Sequence, residues 1–345
     1  MNKKRIGLSV CTFALLLGLL LSVAQALLVP HDPTRNPEAA LVAEFVDTFS
    51  DEDVIFLGDC EIYESFSTVT LWQEYGINAY ACGSPQQLLW HSYALLQQAF
   101  AQGNPSVVVL GVYALRYDAP QSEAYNRMAL DGLPLSRTKL AAVKTSMMAG
   151  ESALSYLFPL LRYHDRWDEI TWRDVTLLFS PTPRVSYNGY LMQTGVLADD
   201  NGRADHEGAL PLTDPAFGSL ALEYLDKIAA LCREHGAQLI LLKAPTDSWA
   251  YPWYEEWEQQ TVELACSRAL PYYNLLDAAE QIALDYTTDT YDGGLHLNVH
   301  GAEKTARYFG AILRQEYGVP DRRDDAALTE RRKGWIQAYE RAKHY

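Results

Sequence analysis

Cysteine is scarce in this chain of 345 residues. The five cysteines are Cys11, Cys60, Cys82, Cys232 and Cys266, and the sequence has neither a C-x-x-C pair nor a Cys/His cluster with zinc spacing. So few thiols in so long a chain do not indicate a disulfide framework, and we expect no metal and no other cofactor. One bridge, between Cys232 and Cys266, stays open because each lies in a predicted helix next to a strand.

Basic residues are also few relative to acidic ones. Lysine and arginine number 28 against 44 aspartates and glutamates, which gives a formal net charge of −16. No basic surface remains to neutralise phosphates, so nucleic acid is excluded as a partner. Hydrophobic residues make up 48% of the chain, enough for a sizeable core. The length favours one large domain with insertions over two small ones.

The N-terminus carries the clearest targeting signal. Residues 1–5 include three basic side chains, and an uncharged apolar run follows over residues 6–29. At about 1.5 Å per residue the run spans roughly 36 Å, enough to cross a bilayer core. The basic cluster predicts a cytoplasmic N-terminus and an extracytoplasmic chain after Pro30. Signal-peptidase cleavage after Ala26, giving a secreted protein, is the alternative.

After this anchor, apolar strand-like runs alternate with amphipathic helical patterns. The predicted strands are 54–57, 77–81, 106–111, 238–242 and 272–276, and the predicted helices are 36–50, 86–101, 219–235 and 301–317. Such alternation predicts a parallel sheet covered by helices on both faces. We expect this α/β domain to cover residues 36–320.

Two segments depart from the alternation. Residues 113–214 include the amphipathic stretch Thr138–Leu161, and we interpret them as a helical insertion over the strand ends, where α/β folds bind ligands. Residues 321–345 are rich in charge and predict a solvated final helix.

Two motifs at opposite ends of the α/β pattern carry the chemistry. Leu57-Gly-Asp-Cys-Glu61 follows the first strand, and Asp292-Gly-Gly-Leu-His-Leu-Asn298 precedes the last helix. A cysteine at a strand end can be deprotonated by a histidine that an aspartate orients. A nearby imidazolium and a helix N-terminus would lower its thiol pKa. Alone, Cys60 would be read as a small buried hydrophobe.

Together, in this order, the two motifs resemble the SGNH (GDSL-like) hydrolase and acyltransferase superfamily. The resemblance covers residues 54–318, although its specific motifs amount to about a dozen residues. It implies a flavodoxin-like three-layer α/β/α fold with a parallel central sheet, with Cys60 as nucleophile, His296 as base and Asp292 as the acid that orients it.

The chain departs from the family pattern in two ways at these motifs. Cysteine stands where the family has serine, which implies either a thioester intermediate or an inactive site. The family spaces the acid and the histidine three residues apart, whereas Asp292 and His296 are four apart. Asp289 and Asp285 therefore compete as the acid, and His300 competes as the base.

The resemblance also implies an oxyanion hole formed by the nucleophile's N–H, a glycine after the second strand and an asparagine after the third. Cys60 and Gly83 match the first two positions, although Gly83 could instead serve a turn with positive φ. No asparagine follows the third strand at Gly111-Val-Tyr113. Asn126 is the expected replacement, with Gln86 as an alternative.

Three further residues are candidates for substrate binding. Lys243 follows the fourth strand, Trp249 begins an aromatic cluster, and Arg162 begins an aromatic and charged stretch in the insertion. The lysine could contact an anionic donor or polymer, and aromatic faces stack on sugars or close a cleft. A solvated loop, a local core and ordinary helix packing are the respective alternatives.

The anchored topology resembles the membrane-anchored SGNH proteins of Gram-positive bacteria, which are related to the teichoic acid D-alanine transfer protein and the alginate O-acetyltransferases. This implies acyl transfer to a cell-wall or capsular polymer, with a membrane-bound O-acyltransferase as the partner that supplies the acyl group. An SGNH esterase or deacetylase and a catalytically inactive surface scaffold are the alternatives.

Overall fold

The computed structural model describes residues 3–30, 32–198, 216–246 and 254–343, with side chains from Ile6 onward. The strands are β1 (Val54–Gly58), β2 (Ala79–Gly83), β3 (Val107–Gly111), β4 (Gln238–Lys243) and β5 (Tyr272–Asn274). The helices are α1 (Lys3–Leu28), α2 (Pro37–Thr48), α3 (Cys60–Tyr63), α4 (Thr68–Tyr75), α5 (Leu89–Gln102), α6 (Glu123–Leu130), α7 (Arg137–Ser146), α8 (Ala153–Leu157), α9 (Leu160–Tyr163), α10 (Trp172–Leu177), α11 (Ser219–His235), α12 (Tyr254–Arg268), α13 (Ala279–Ile282), α14 (Val299–Gln315) and α15 (Ala326–Ala342).

The five strands form one parallel sheet in the order β2-β1-β3-β4-β5. Every residue of β1, β2 and β3 is buried. Since neighbouring side chains of a strand point to opposite faces, both faces of the sheet are covered. Helices α5 and α11 pack together, as do α4 and α14. The α/β class with a parallel sheet is therefore confirmed.

Three glycines end three adjacent strands and make room for α3 above them. A Cβ at Gly58 would lie 2.3 Å from Cγ1 of Ile62, and one at Gly111 would lie 2.7 Å from the same atom. A Cβ at Gly83 would lie 2.4 Å from Cδ1 of Tyr63 and 2.7 Å from the Gly58 carbonyl oxygen. Gly83 is thus required for close packing, and it is not among the positive-φ glycines of a turn.

We expect Gly83→Ala to lower the free energy of unfolding by about 1–3 kcal/mol, because the new methyl group overpacks a site bounded by a ring and a backbone carbonyl. Thermal unfolding of the detergent-solubilised chain measures this effect. The matched control is Gly334→Ala in α15, where a Cβ meets nothing within 4 Å. Equal melting temperatures for the two variants would contradict the packing explanation.

The chain divides into two compact units. One consists of residues 1–37 and 149–184, and the other of residues 38–148 and 185–345. Among the described residues, α1 is the helix long and apolar enough to cross a membrane. The amphipathic stretch Thr138–Leu161 consists of α7, α8 and the start of α9, because Met147 is extended and Gly150 has a φ of 92°.

The expected charged final helix is present as α15, which leaves most of its side chains at least partly exposed but is anchored within the second unit by the buried Leu328, Arg332 and Tyr339. Tyr339 is fully buried, and its hydroxyl donates to Glu303 at 2.9 Å and lies 3.1 Å from the Ser67 hydroxyl. Lys343 forms an ion pair with the same glutamate at 2.6 Å. The charged side chains of the tail thus surround a buried aromatic anchor.

Candidate active site

The carboxyl end of β1 carries Cys60 to the edge of the sheet. Gly58 ends the strand, Asp59 is the N-cap of α3, and Cys60 is the first residue of that helix, partly exposed. The first N–H groups of an α-helix have no acceptor within the helix. The backbone N–H of Cys60 can therefore serve a ligand placed against the sulfur.

A tight loop brings His296 and Asp292 to Cys60. The Nε2 atom of His296 lies 2.9 Å from Sγ of Cys60, and its Nδ1 lies 2.6 Å from Oδ2 of Asp292. The backbone N–H of His296 donates to the other oxygen of Asp292 at 2.8 Å. These contacts link a thiol, an imidazole and a carboxylate in the order that general-base activation of a nucleophile requires.

The loop also accounts for the four-residue spacing. Gly293 and Gly294 have φ values of 80° and 105°, which residues with a Cβ rarely adopt. The Thr290 hydroxyl donates to the His296 carbonyl at 2.8 Å and accepts from the Gly294 N–H at 2.9 Å. The two glycines absorb the extra residue, so that His296 turns back over Asp292.

The competing acids and base lie elsewhere. His300 is exposed on the first turn of α14, where its backbone N–H donates to the Asn298 side chain. Asp289 is buried in an ion pair with Lys304 at 2.6 Å. Asp285 accepts hydrogen bonds from Thr287, whereas the carboxylate that contacts the His296 ring is that of Asp292.

The electrostatic environment of Cys60 favours the thiol, so the expectation of a lowered pKa is wrong in direction. Burial, together with the nearby Asp59 and Glu64 carboxyls, raises the pKa of Cys60 to about 11, whereas His296 lowers it, as expected, by a smaller amount. Helix α3 has only four residues, so its dipole is small. Burial alone would lower the pKa of His296, but the Cys60 sulfur and Asp292 raise it well above its ordinary value. Attack therefore requires the neutral form of the imidazole, which takes the thiol proton as the sulfur attacks.

Alkylation of Cys60 should reveal this directly. Because the thiolate is a minor species far below the pKa, we expect the iodoacetamide rate at Cys60 to rise about tenfold per pH unit between pH 7 and 9. Peptide mapping measures the rate, with the exposed Cys266 as an accessible thiol in the same digest. A rate at Cys60 that stays flat from pH 6 to 8 would indicate a preformed thiolate instead.

The buried Glu64 carboxyl positions His296 indirectly, through the ring of Tyr291. The Tyr291 ring is stacked on the His296 ring, with centroids 6.0 Å apart and planes 22° apart. Its hydroxyl donates to Glu64 at 2.9 Å, and Gln193 donates to the other oxygen of Glu64 at 2.9 Å. Burial raises the pKa of Glu64 to about 7. Neither Tyr291 nor Glu64 was expected from the sequence, although Tyr291 precedes Asp292 and Glu64 follows Cys60 by four residues.

Lys243 is a packing residue of the site, and its expected role as an exposed ligand for substrate is wrong. It is the last residue of β4 and 1% exposed, and its Nζ lies 2.9 Å from Oε2 of Glu61. Thr246 completes the cluster by donating to the same carboxylate at 3.3 Å. Because Glu61 follows Cys60 directly, this buried pair fixes the start of α3 against the strand ends.

The expected oxyanion donors are only partly brought together. Asn126 is buried and its side-chain amide donates to the Ser146 carbonyl at 2.8 Å, so its assignment to the oxyanion hole is wrong. Gly83 does not line the cavity at Cys60. The alternative, Gln86, does line it, with a backbone φ of 49° that is strained for a residue with a Cβ. Strained backbone of this kind is typical of functional sites.

A cavity of about 350 Å³ opens beside the sulfur. Its lining includes the three motif neighbours Asp59, Cys60 and His296, the acids Glu38 and Glu61, the cation Arg116, and the tyrosines Tyr113, Tyr117, Tyr125 and Tyr291. The Arg116 guanidinium lies 3.5 Å from the ring centre of Tyr113 and 4.6 Å from that of Tyr117. Tyr113 follows β3, where the sequence analysis looked for an asparagine.

The remaining predicted residues that the structure describes do not line this cavity. Arg162 belongs to α9 of the other unit, 5.7 Å from the Tyr163 ring centre, and does not line the cavity. Trp249 lies outside the described residues. The possible Cys232–Cys266 disulfide is not formed. Both thiols are free, with Cys232 buried and Cys266 exposed. Within the described ranges, no group of His, Cys, Asp and Glu side chains is arranged to hold a metal ion.

No protein-family model matches the chain, and no curated protein matches it in sequence. The function is therefore inferred from the geometry of the chain's own residues.

Proposed function

We propose that this chain is a membrane-tethered, extracytoplasmic acyltransferase of the SGNH type. It would form a thioester on Cys60 and pass the acyl group to a hydroxyl of a cell-wall or capsular polymer. The observation that carries the proposal is the chain of contacts from sulfur to imidazole to carboxylate, at 2.9 and 2.6 Å. The strand order and the position of Cys60 after β1 support it. Sheets of this flavodoxin-like order bind ligands at the carboxyl ends of β1 and β3, the point at which the strand order reverses.

The first half of the reaction acylates the sulfur. Nε2 of His296 takes the thiol proton as Sγ of Cys60 attacks the acyl carbonyl carbon, and the C–S bond forms. The tetrahedral oxyanion meets the N–H of Cys60, with the Gln86 amide as a second donor. The bond to the donor's leaving oxygen then breaks, and His296 returns the proton to that oxygen. Asp292 holds the imidazolium throughout.

The second half moves the acyl group to the acceptor. His296 takes the proton of the acceptor hydroxyl as the hydroxyl oxygen attacks the thioester carbonyl, and the C–S bond breaks. The proton then returns to sulfur. Because burial raises the thiol pKa to about 11, unprotonated sulfur is a poor leaving group, and the thioester persists until His296 and an acceptor are both in place.

The lining of the cavity supports a carbohydrate acceptor. Four tyrosines line it, and aromatic faces with a polar edge suit the apolar faces and hydroxyls of sugar rings. Helix α1 supports the location, since a basic N-terminus followed by an apolar span favours an extracytoplasmic C-terminal domain. A membrane-bound O-acyltransferase that supplies the acyl group is part of the same proposal.

A chase experiment tests transfer against hydrolysis. The chain is first loaded with a radiolabelled acetyl group from an activated ester, then split between buffer and buffer containing purified cell-wall polymer. We expect the label to leave the protein at least tenfold faster with polymer and to appear as polymer ester. Release into free acetate at the same rate in both samples would identify an esterase instead. Polymer stripped of free hydroxyls by chemical acetylation is the matched control.

A further inference from the structure

One segment of the first unit exposes large apolar side chains to an unusual degree. Among the described residues after α1, thirteen large apolar side chains are exposed, and six of them fall between residues 154 and 179. Every exposed phenylalanine and tryptophan of that set lies here: Phe158 (55% exposed), Trp167 (72%), Trp172 (78%) and Phe179 (86%). Soluble surfaces rarely concentrate such residues unless something covers them.

The same segment is attached to the end of α1. Nη1 of Arg166 donates to the carbonyl of Leu28, the last residue of the helix, at 2.8 Å. The other end of that guanidinium pairs with the buried Asp174 at 3.1 Å. Arg173 pairs with Asp32, and its hydrogen bonds lower the pKa of that carboxyl to about 2. The carbonyl end of the helix and the chain beyond it are thus held to residues 166–174.

These contacts fix the height of the segment along α1. A bilayer core about 30 Å thick takes about 20 helical residues, so a span beginning at Ile6 leaves the core near Gln25. The structure agrees with this boundary, because residues 6–23 are all exposed and residues 26–29 are partly buried. Leu28 is then at headgroup level. Trp167 follows Arg166 directly in the sequence, and Arg166 contacts Leu28.

We propose that residues 149–184 rest in the headgroup region of the bilayer that α1 crosses, with Phe158, Trp167, Trp172 and Phe179 inserted at the boundary with the acyl chains. Tryptophan is the side chain that this boundary favours most clearly, because its ring is apolar and its N–H can reach water. The segment has four arginines and five acidic residues, so its contact with lipid rests on apolar burial and needs no anionic headgroup. This inference does not depend on the chemistry at Cys60, and it rests on the membrane span of α1 that is part of the proposed function.

Quenching by brominated lipid tests the proposal with the full-length chain. The chain is reconstituted in phosphatidylcholine vesicles, with or without phosphatidylcholine brominated on its acyl chains near the headgroup. The chain has eight tryptophans, so Trp167 and Trp172 supply up to about a quarter of the emission. We expect W167F/W172F to lose most of the quenching seen in the wild type. The control Trp335→Phe, half-buried on α15 of the other unit, should keep it.

The result that would overturn the proposal is quenching in W167F/W172F equal to that of the wild type. The proposal would also be overturned if brominated lipid did not quench the tryptophan emission of the wild type. That result would point to a membrane protein as the occupant of this surface. Both substituted tryptophans are more than 70% exposed, so phenylalanine at these positions leaves the packing of the unit intact.

Discussion

His296→Ala is expected to lower the rate of acylation of Cys60 by about 10⁴-fold. The imidazole is the group in contact with the sulfur, at 2.9 Å, and the thiol pKa of about 11 leaves a thiolate fraction of about 10⁻⁴ at pH 7. The burst of p-nitrophenol from p-nitrophenyl acetate, measured by stopped flow, reports the rate.

The matched control for this variant is His300→Ala. This histidine lies four residues further along the chain, is exposed, and does not line the cavity. It should acylate at the wild-type rate. If the two alanine variants acylate equally fast, His296 is not the base.

Lys243→Met is expected to lower the free energy of unfolding by about 3–5 kcal/mol, because it leaves the Glu61 carboxylate in the interior without its lysine. The pair is 2.9 Å apart, and its side chains are 1% and 5% exposed. Denaturant unfolding followed by circular dichroism measures the change. Adding Glu61→Gln to Lys243→Met should restore part of the loss, since the buried charge is then removed as well.

An exposed lysine–glutamate ion pair provides the control for this prediction. Lys227 and Glu223 form an ion pair of 2.6 Å on α11, with side chains 41% and 59% exposed. Exposed pairs of this spacing contribute about 0.3–0.5 kcal/mol, so Lys227→Met should change stability little. Losses of equal size for the two lysines would mean that burial of Lys243 carries no energetic weight.

The strands and the motif positions could be predicted from sequence because their signals are local. Runs such as Val107–Gly111 are apolar throughout, and the turn at Cys60 and the loop at His296 are each marked by glycine beside the reactive residue. The alternation of strand and helix predicted a parallel sheet with helices on both faces.

What sequence could not give depends on contacts made across the fold. Lysine is normally solvated. Lys243 is stable in the interior because the fold places the Glu61 carboxylate beside it at the end of β4. The sign of the Cys60 pKa shift depends on burial, and on carboxyls that pack around the sulfur after folding. Asn126 looked available because nothing in the sequence places its amide on the Ser146 carbonyl.

Intact mass spectrometry of the chain after incubation with an activated acetyl ester tests the central claim most directly. The account predicts one acetyl group, on Cys60, that hydroxylamine removes and that is absent from Cys60→Ala. His296→Ala should acquire it far more slowly at neutral pH. A chain that gains no hydroxylamine-sensitive acetyl group, or a Cys60→Ala variant that gains one as fast as the wild type, would contradict the assignment of Cys60 as the nucleophile.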